Sequence, residues 1–216
     1  MNYTIDINMN DLKVESRGAE TYGIFNVRVK VESEDLIEEA EDFITYVLDY
    51  QIESQKKITS GQTLTYGYWL VQFKEKDKFL DVWEYNSDAT NFVEGANLTL
   101  SYLHAQYSLC EVVEAEFDAP TADKFVTVYT QIFESKEIQG VRYEEDGEKS
   151  GWLLYCEEQD LDSLHEGAFL TLRLYELTLK RPDLLKFLGL PTGYRFVLKE
   201  DEYNAWEDRN LFTNYK

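Results

Sequence analysis

A seven-residue sequence occurs twice in this chain and limits the folds that the chain can adopt. Residues 94–100 read Glu-Gly-Ala-Asn-Leu-Thr-Leu, and residues 166–172 read Glu-Gly-Ala-Phe-Leu-Thr-Leu, so the copies differ at one position. Each copy follows a segment in which a Gly lies beside or near a Trp, with Trp69 in the first and Trp152 in the second. Such a repeat indicates two units that keep a scaffold while their loops diverge. We therefore predict two related units in tandem rather than one doubly wound domain, with Trp69 and Trp152 in the cores.

Hydrophobic periodicity predicts both helices and strands in each unit. Apolar side chains alternate over residues 22–31, which is typical of a half-buried strand. Ser33 is a suitable N-cap for residues 34–50, where apolar side chains recur at helical spacing opposite an acidic face. The same criteria predict strands at 64–73, 79–85, 125–134, 151–157 and 194–199, and helices at 96–114, 170–180 and 182–188.

The fold class that follows is α+β, with two tandem related units that each form a small, mainly antiparallel sheet with a packed helix. The segment around Pro120 has the composition of a linker. We therefore place an N-terminal unit at residues 1–118 and a C-terminal unit at residues 124–216.

The net charge restricts the possible partners. The chain carries 42 acidic and 21 basic residues, for a formal net charge of −21. Such a charge repels nucleic acid and anionic membranes and attracts basic partners. The N-terminus lacks a signal-peptide pattern, and Cys110 and Cys156 are too few for a disulfide framework. We therefore expect a cytoplasmic protein, monomeric or a small homo-oligomer, that binds neither nucleic acid nor membrane.

The residue types needed for catalysis or metal binding occur here without the required patterns. His104 and His165 lie in no recognisable nucleophile motif, and Cys110 and Cys156 do not combine with them at zinc-site spacings. Glycine-rich phosphate-binding loops are also missing. The sequence therefore predicts no enzyme, no cofactor and no metal. An enzyme becomes an alternative if His104 or His165 has a perturbed pKa in a cleft.

The second half of the chain resembles a known family from residue 131 onward. The segments that carry the resemblance are 135–138, Ser150-Gly151-Trp152, 182–196 and Trp206-Glu207-Asp208. Together they resemble the immunity-protein-33-like domain of bacterial polymorphic toxin systems. The resemblance implies a protein that binds and neutralises a cognate toxin by protein–protein contact. The first half lacks the Leu-Pro-x-Gly turn of the second, and we interpret it as a diverged copy or a related immunity-type domain.

Two acidic clusters flank the strand predicted at 151–157, and one Trp lies in a polar context near the C-terminus. Charged groups of this kind attract a basic toxin, and an exposed aromatic residue supplies buried contact area. The predicted partner-binding residues are Glu144, Glu145, Asp146, Glu148, Glu157, Glu158, Asp160, Asp162 and Trp206. The competing interpretation of the clusters is that they are solvated turns. The competing function is a small-ligand-binding or scaffold module unrelated to toxins.

Overall fold

The computed structural model of the chain describes residues 2–156 and 168–211. The chain divides into two compact units, Met1–His104 and Ala105–Lys216. Each unit has its own sheet, and most strand pairs in both sheets are antiparallel. The predicted α+β class with two sheet units is therefore confirmed. No helix in the described ranges has the length and apolar character needed to cross a membrane.

The first unit is a sheet with the strand order β1-β2-β3-β6-β5-β4, and β7 pairs with β6. Only β3 and β6 run parallel among these pairs, because helix α1 connects β3 to the later strands. The elements are β1 (Thr4–Asn8), β2 (Lys13–Arg17), β3 (Asn26–Lys30), α1 (Ile37–Ser54), β4 (Thr63–Tyr66), β5 (Trp69–Lys76), β6 (Phe79–Tyr85), β7 (Phe92–Glu94) and the first half of α2 (Asn97–Val112). The division between the units falls inside α2, after His104.

Helix α1 forms where the sequence predicts it. The Ser33 side chain accepts a hydrogen bond from the backbone N–H of Asp35 (3.3 Å), which caps a short 3₁₀ turn before α1. Phe43, Ile44 and Val47 are fully buried on the face that packs against the sheet. The helix ends at Ser54 because Gln55 adopts a left-handed conformation, with φ of 56°.

The second unit has a six-stranded sheet with the order β11-β8-β10-β9-β12-β13. Its elements are β8 (Phe125–Tyr129), β9 (Glu137–Arg142), β10 (Lys149–Tyr155), β11 (Phe169–Arg173), α3 (Leu174–Lys180), a 3₁₀ helix (Pro182–Gly189), β12 (Tyr194–Lys199) and β13 (Glu202–Glu207). Among the described strands of this sheet, only β8 and β10 pair in parallel. One face carries the core, where the Phe187 and Phe196 rings stack with centroids 4.0 Å apart and Trp152 packs beside Phe196.

The two copies of the heptapeptide adopt different secondary structures. Residues 97–100 of the first copy begin α2, whereas residues 169–172 of the second lie in β11. The helix predicted over 170–180 is therefore wrong at its start, and only residues 174–180 are helical. Residues 169–173 are extended because each pairs with β8, and this pairing overrides the local helical pattern.

The units nevertheless share a three-stranded arrangement. In β3-β6-β5 and in β8-β10-β9, the first pair is parallel and the second antiparallel. Trp69 and Trp152 are both buried, as predicted, but Trp69 begins β5 and Trp152 lies in β10. Strand β5 is the outer, antiparallel strand of β3-β6-β5, whereas β10 is the middle strand of β8-β10-β9.

Candidate functional site

An acidic hairpin joins β9 to β10 at one end of the second sheet. Residues 143–148 form its turn, in which Gly147 has a φ of 58° and Asp146 and Lys149 form an isolated bridge. Glu144, Asp146 and Glu148 are exposed. The ion pairs Asp146–Lys149 (3.8 Å) and Glu148–Arg173 (3.9 Å) involve carboxylates that are more than three-quarters exposed, so they leave the hairpin strongly negative.

Gly151 fixes the point at which the hairpin meets β10. Its φ is 79°, and a Cβ atom built on it would lie 2.1 Å from the carbonyl oxygen of Tyr143. That close approach accompanies the hydrogen bond from the Tyr143 N–H to the Gly151 carbonyl (2.9 Å). The β8–β10 register also shifts between Lys149 and Leu153. A glycine is therefore required here both for its conformation and for space.

We expect Gly151→Ala to lower the free energy of unfolding by about 2–3 kcal/mol, because it adds a clash with backbone to left-handed strain. Gly147→Ala is the matched control, since Gly147 also has a positive φ but has no atom within 4 Å of its Cβ position. The control is expected to lose only about 1 kcal/mol. Urea unfolding of both variants measures the difference, and equal losses would contradict the role of the Tyr143 carbonyl.

Arg142, the last residue of β9, has a fully buried side chain. Its guanidinium donates hydrogen bonds to the carbonyl oxygens of Asp118 and Leu190 (2.7 Å for Leu190) and to Glu145 Oε1 (3.1 Å). The Asp118 carboxylate oxygen Oδ2 also lies 3.4 Å from Nη2 of Arg142. Burial lowers the pKa of the Arg142 guanidinium, whereas the charges of Asp118 and Glu145 act in the opposite direction. The cation is thus compensated inside the protein, and it fixes the base of the hairpin to two loops.

Glu145 differs from the other described acidic residues of the predicted site. Its carboxylate pairs with the buried Arg142 and with Lys124. Glu145 is exposed like Glu144, Asp146 and Glu148, but it is the one of these four carboxylates that pairs with Arg142. Sequence reasoning grouped all four because it could not foresee a buried cation beneath the turn.

Trp206 lies at the same end of the sheet as the acidic hairpin. Its side chain is 39% exposed. Trp206 in β13 lies opposite Arg195 in β12, and Arg195 lies opposite Val141 in β9. The hairpin begins two residues after Val141, and two strand spacings amount to roughly 10 Å. Arg195 is held by an ion pair with Asp208 and donates a hydrogen bond to the hydroxyl of Tyr155 (3.2 Å). The structure thus brings Trp206 near Glu144, Asp146 and Glu148.

The other predicted site residues, Glu157, Glu158, Asp160 and Asp162, lie outside the described residues, as does His165. His104 lies on α2 with an exposed ring, and its Nδ1 is 2.5 Å from Glu39 Oε1. Cys110 is buried, which raises the pKa of its thiol to about 11. Within residues 2–156 and 168–211, no three His, Cys, Asp or Glu side chains form a group that could hold a metal ion.

An open cleft of about 600 Å³ lies in the first unit and was not predicted. Arg17, Glu20, Phe25, Asn26, Lys78 and Phe79 are among its lining residues. The guanidinium carbons of Arg17 and Arg28 lie 5.2 and 4.8 Å from the ring centroid of Phe79, within cation–π range. Glu20 and Asp77 line the cleft together with Arg17 and Lys78, so its aromatic surface is bordered by charges of both signs.

Comparison with known protein families finds a match, which lies in the second unit. The model of the Imm33-like domain matches residues 105–208. The match begins at the first residue of the second unit and covers its helices, all strands from β8 to β13, the acidic hairpin and Trp206. The resemblance to this family that the sequence indicated is thereby confirmed. No curated protein and no solved structure matches the chain.

Proposed function

We propose that this protein is a non-enzymatic immunity protein that binds and neutralises a cognate bacterial toxin by protein–protein contact. The match to the Imm33-like domain over residues 105–208 carries the proposal. The exposed acidic residues of the hairpin and Trp206 support it, because they lie in this unit and at one end of its sheet. The function requires no catalytic step and no cofactor.

The charge of the surface favours a basic toxin as the partner. Glu144, Asp146 and Glu148 add a local negative field to a chain whose net charge is −21. Such fields accelerate the encounter with a cationic surface, and half-exposed aromatic residues then contribute through burial. A toxin that acts on nucleic acid has a cationic phosphate-binding surface, which the acidic hairpin would occupy. Glu157, Glu158, Asp160 and Asp162 belong to the same proposal through their position in the sequence.

The direct test pairs this protein with any secreted toxin that a neighbouring gene encodes. We expect co-expression to restore the growth of cells that produce the toxin in their cytoplasm, and the purified proteins to form a complex in biosensor measurements. If the neighbouring toxin neither binds nor is neutralised, the immunity function is refuted.

A charge-neutralised variant tests the hairpin itself. The variant carries three substitutions together: Glu144→Gln, Asp146→Asn and Glu148→Gln. We expect its association rate with the toxin to be about tenfold lower at low ionic strength and to depend less on salt concentration. The matched control removes three exposed charges from α1 with Glu38→Gln, Asp42→Asn and Glu53→Gln. Stopped-flow association at several salt concentrations compares the two variants. Equal rates for both would show that net charge, rather than the hairpin, attracts the toxin.

The alternative function is a small-ligand-binding or scaffold module unrelated to toxins. The cleft in the first unit favours it, because Arg17 and Lys78 line a pocket with aromatic walls. Glu20 and Asp77 also line it, so a small aromatic ligand with both a positive and a negative group is the class that fits. A thermal-shift screen with such ligands distinguishes the two functions. A ligand that raises the melting temperature of a protein that binds no toxin would favour the alternative.

A further inference from the structure

The edge strand β13 has a strand neighbour on one side only among the described residues. Its six residues, Glu202–Glu207, pair with β12 through a continuous antiparallel register, and the sheet order ends with β13. Five of the six residues are exposed, with Ala205 buried. The other long side of β13 therefore faces away from the described sheet.

The hydrogen-bond pattern determines which backbone groups face outward. The N–H of Asp208 donates to the Gly193 carbonyl (2.8 Å), and the N–H of Glu200 donates to the Lys136 carbonyl (2.9 Å). Bonding alternates along antiparallel strands, so the even-numbered residues of β13 bond to β12. The N–H and C=O groups of Tyr203, Ala205 and Glu207 therefore point to the open side.

Within residues 2–156 and 168–211, this edge lacks the usual protection against strand addition. Natural edge strands are commonly blocked by Lys, Pro or a bulge, and β13 contains no Lys or Pro and keeps a regular register. Its charged residues, Glu202 and Glu207, are instead acidic. Glu207 Oε2 lies 3.2 Å from Arg209 Nε, but both side chains are exposed, so this ion pair contributes little to stability.

Charge also decides which kind of strand suits this edge. An antiparallel pair of two β13 strands centred on Ala205 would place Glu202 opposite Asp208, and a pair centred on Asn204 would place Glu207 opposite Asp201. Like charges directly opposite one another destabilise a sheet. A second copy of this chain is therefore a poor partner for the edge, and a strand with cationic side chains is a good one.

We propose that the toxin adds an extended, basic segment to β13. Its main chain pairs with the outward groups of Tyr203, Ala205 and Glu207, cationic side chains lie beside Glu202 and Glu207, and an apolar side chain packs against Trp206. Main-chain pairing supplies affinity in this mode, and the flanking side chains supply specificity. The inference rests on the proposed immunity function and specifies how the partner is held.

Ala205→Pro tests the pairing with little disturbance of the sheet, because the N–H that it removes faces outward. Ala205→Val is the matched control, since it adds comparable volume at the same buried position and keeps the N–H. We expect the proline variant to bind the neighbouring toxin at least about tenfold more weakly than the valine variant. Circular dichroism establishes that each variant is folded. Equal affinities for the folded variants would overturn the pairing.

Amide hydrogen exchange on the unaltered protein provides a second measurement that does not depend on the folding of a variant. In the complex, we expect the N–H groups of Tyr203, Ala205 and Glu207 to become at least about tenfold more protected, whereas those of Asn204 and Trp206 are already bonded to β12. Unchanged exchange at the outward positions in a formed complex would refute strand addition and leave the immunity function intact. Failure of the unaltered protein to bind any neighbouring toxin would instead refute the proposed function.

Discussion

Replacing Arg142 with alanine is expected to lower the free energy of unfolding of the second unit by about 3–5 kcal/mol. The side chain is fully buried, and its guanidinium bonds to the carbonyl groups of Asp118 and Leu190 and to the carboxylate of Glu145. Removal of the cation leaves these acceptors without their donor at the end of β9. The Leu190 carbonyl loses its donor in a buried place, and the loss of a large buried side chain leaves a cavity, so the total exceeds that of an ordinary hydrogen bond.

An exposed ion pair of the same sheet supplies the control. Lys136 and Glu200 lie 3.0 Å apart with side chains more than two-thirds exposed, so Lys136→Ala should change stability by less than about 1 kcal/mol. Arg142→Lys keeps the charge but loses the planar set of donors, and should fall between the two. Urea unfolding followed by circular dichroism measures all three variants. A loss below about 1 kcal/mol for Arg142→Ala would show that the buried cation does not hold these segments together.

The same substitution links stability to the candidate site. Arg142 connects the hairpin, through Glu145, to the loops at Asp118 and Leu190. The exposed carboxylates of Glu144, Asp146 and Glu148 follow directly from that anchor. The acidic surface is therefore not a row of independent charges. Its geometry depends on one buried cation, and a neutral replacement of Glu145 should disturb it more than a neutral replacement of Glu144.

The elements that were predicted correctly have strong local signals. Helix α1 combines a capping Ser33 with a full apolar stripe, and strand β12 occupies the predicted residues 194–199. The missed strands lack such signals. Strand β13 alternates poorly because its exposed edge needs few apolar residues, and β9 contains Gly140. The Cβ position of Gly140 is occupied by the Phe196 ring, so the reason for this glycine lies in β12 rather than in its own segment.

The candidate site was predictable in its charge but not in its construction. Acidic residues at 144–148 and the polar context of Trp206 are visible in the sequence, and the structure brings both to one end of the sheet. The burial of Arg142 and the outward backbone groups of β13 depend on strand order, which local patterns do not encode. The heptapeptide illustrates the same limit, since identical Leu-Thr-Leu triplets form a helix in one copy and a strand in the other.

A buried carboxylate in the first unit is expected to have the second large effect. Glu84, in β6, accepts hydrogen bonds from the backbone N–H groups of Leu98 (2.9 Å) and Thr99 (2.7 Å) and from the Thr99 hydroxyl (2.8 Å). It thereby satisfies the N-terminus of α2 from a neighbouring strand. Glu84→Ala leaves these donors unpaired in a buried place, and we expect a loss of about 2–4 kcal/mol in urea unfolding. Glu53→Gln, at an exposed position on α1, is the control with no expected loss.

Glu84 also predicts how stability depends on pH. Burial raises the pKa of the Glu84 carboxyl group, and the hydrogen bonds from Thr99 and Leu98 only partly oppose this shift. The folded state therefore binds the proton more tightly than the unfolded state, in which a glutamate titrates near about 4.3. The proton-linked part of the Glu84 contribution to stability is fully present below that value and is lost as the pH rises through the raised folded pKa. Glu84→Gln removes this titration. The free energy of unfolding of both proteins is measured between pH 4 and 7. We expect the unaltered protein to lose stability relative to the variant as the pH rises. A difference that stays constant over this range would mean that the hydrogen bonds from α2 fully offset the cost of burial.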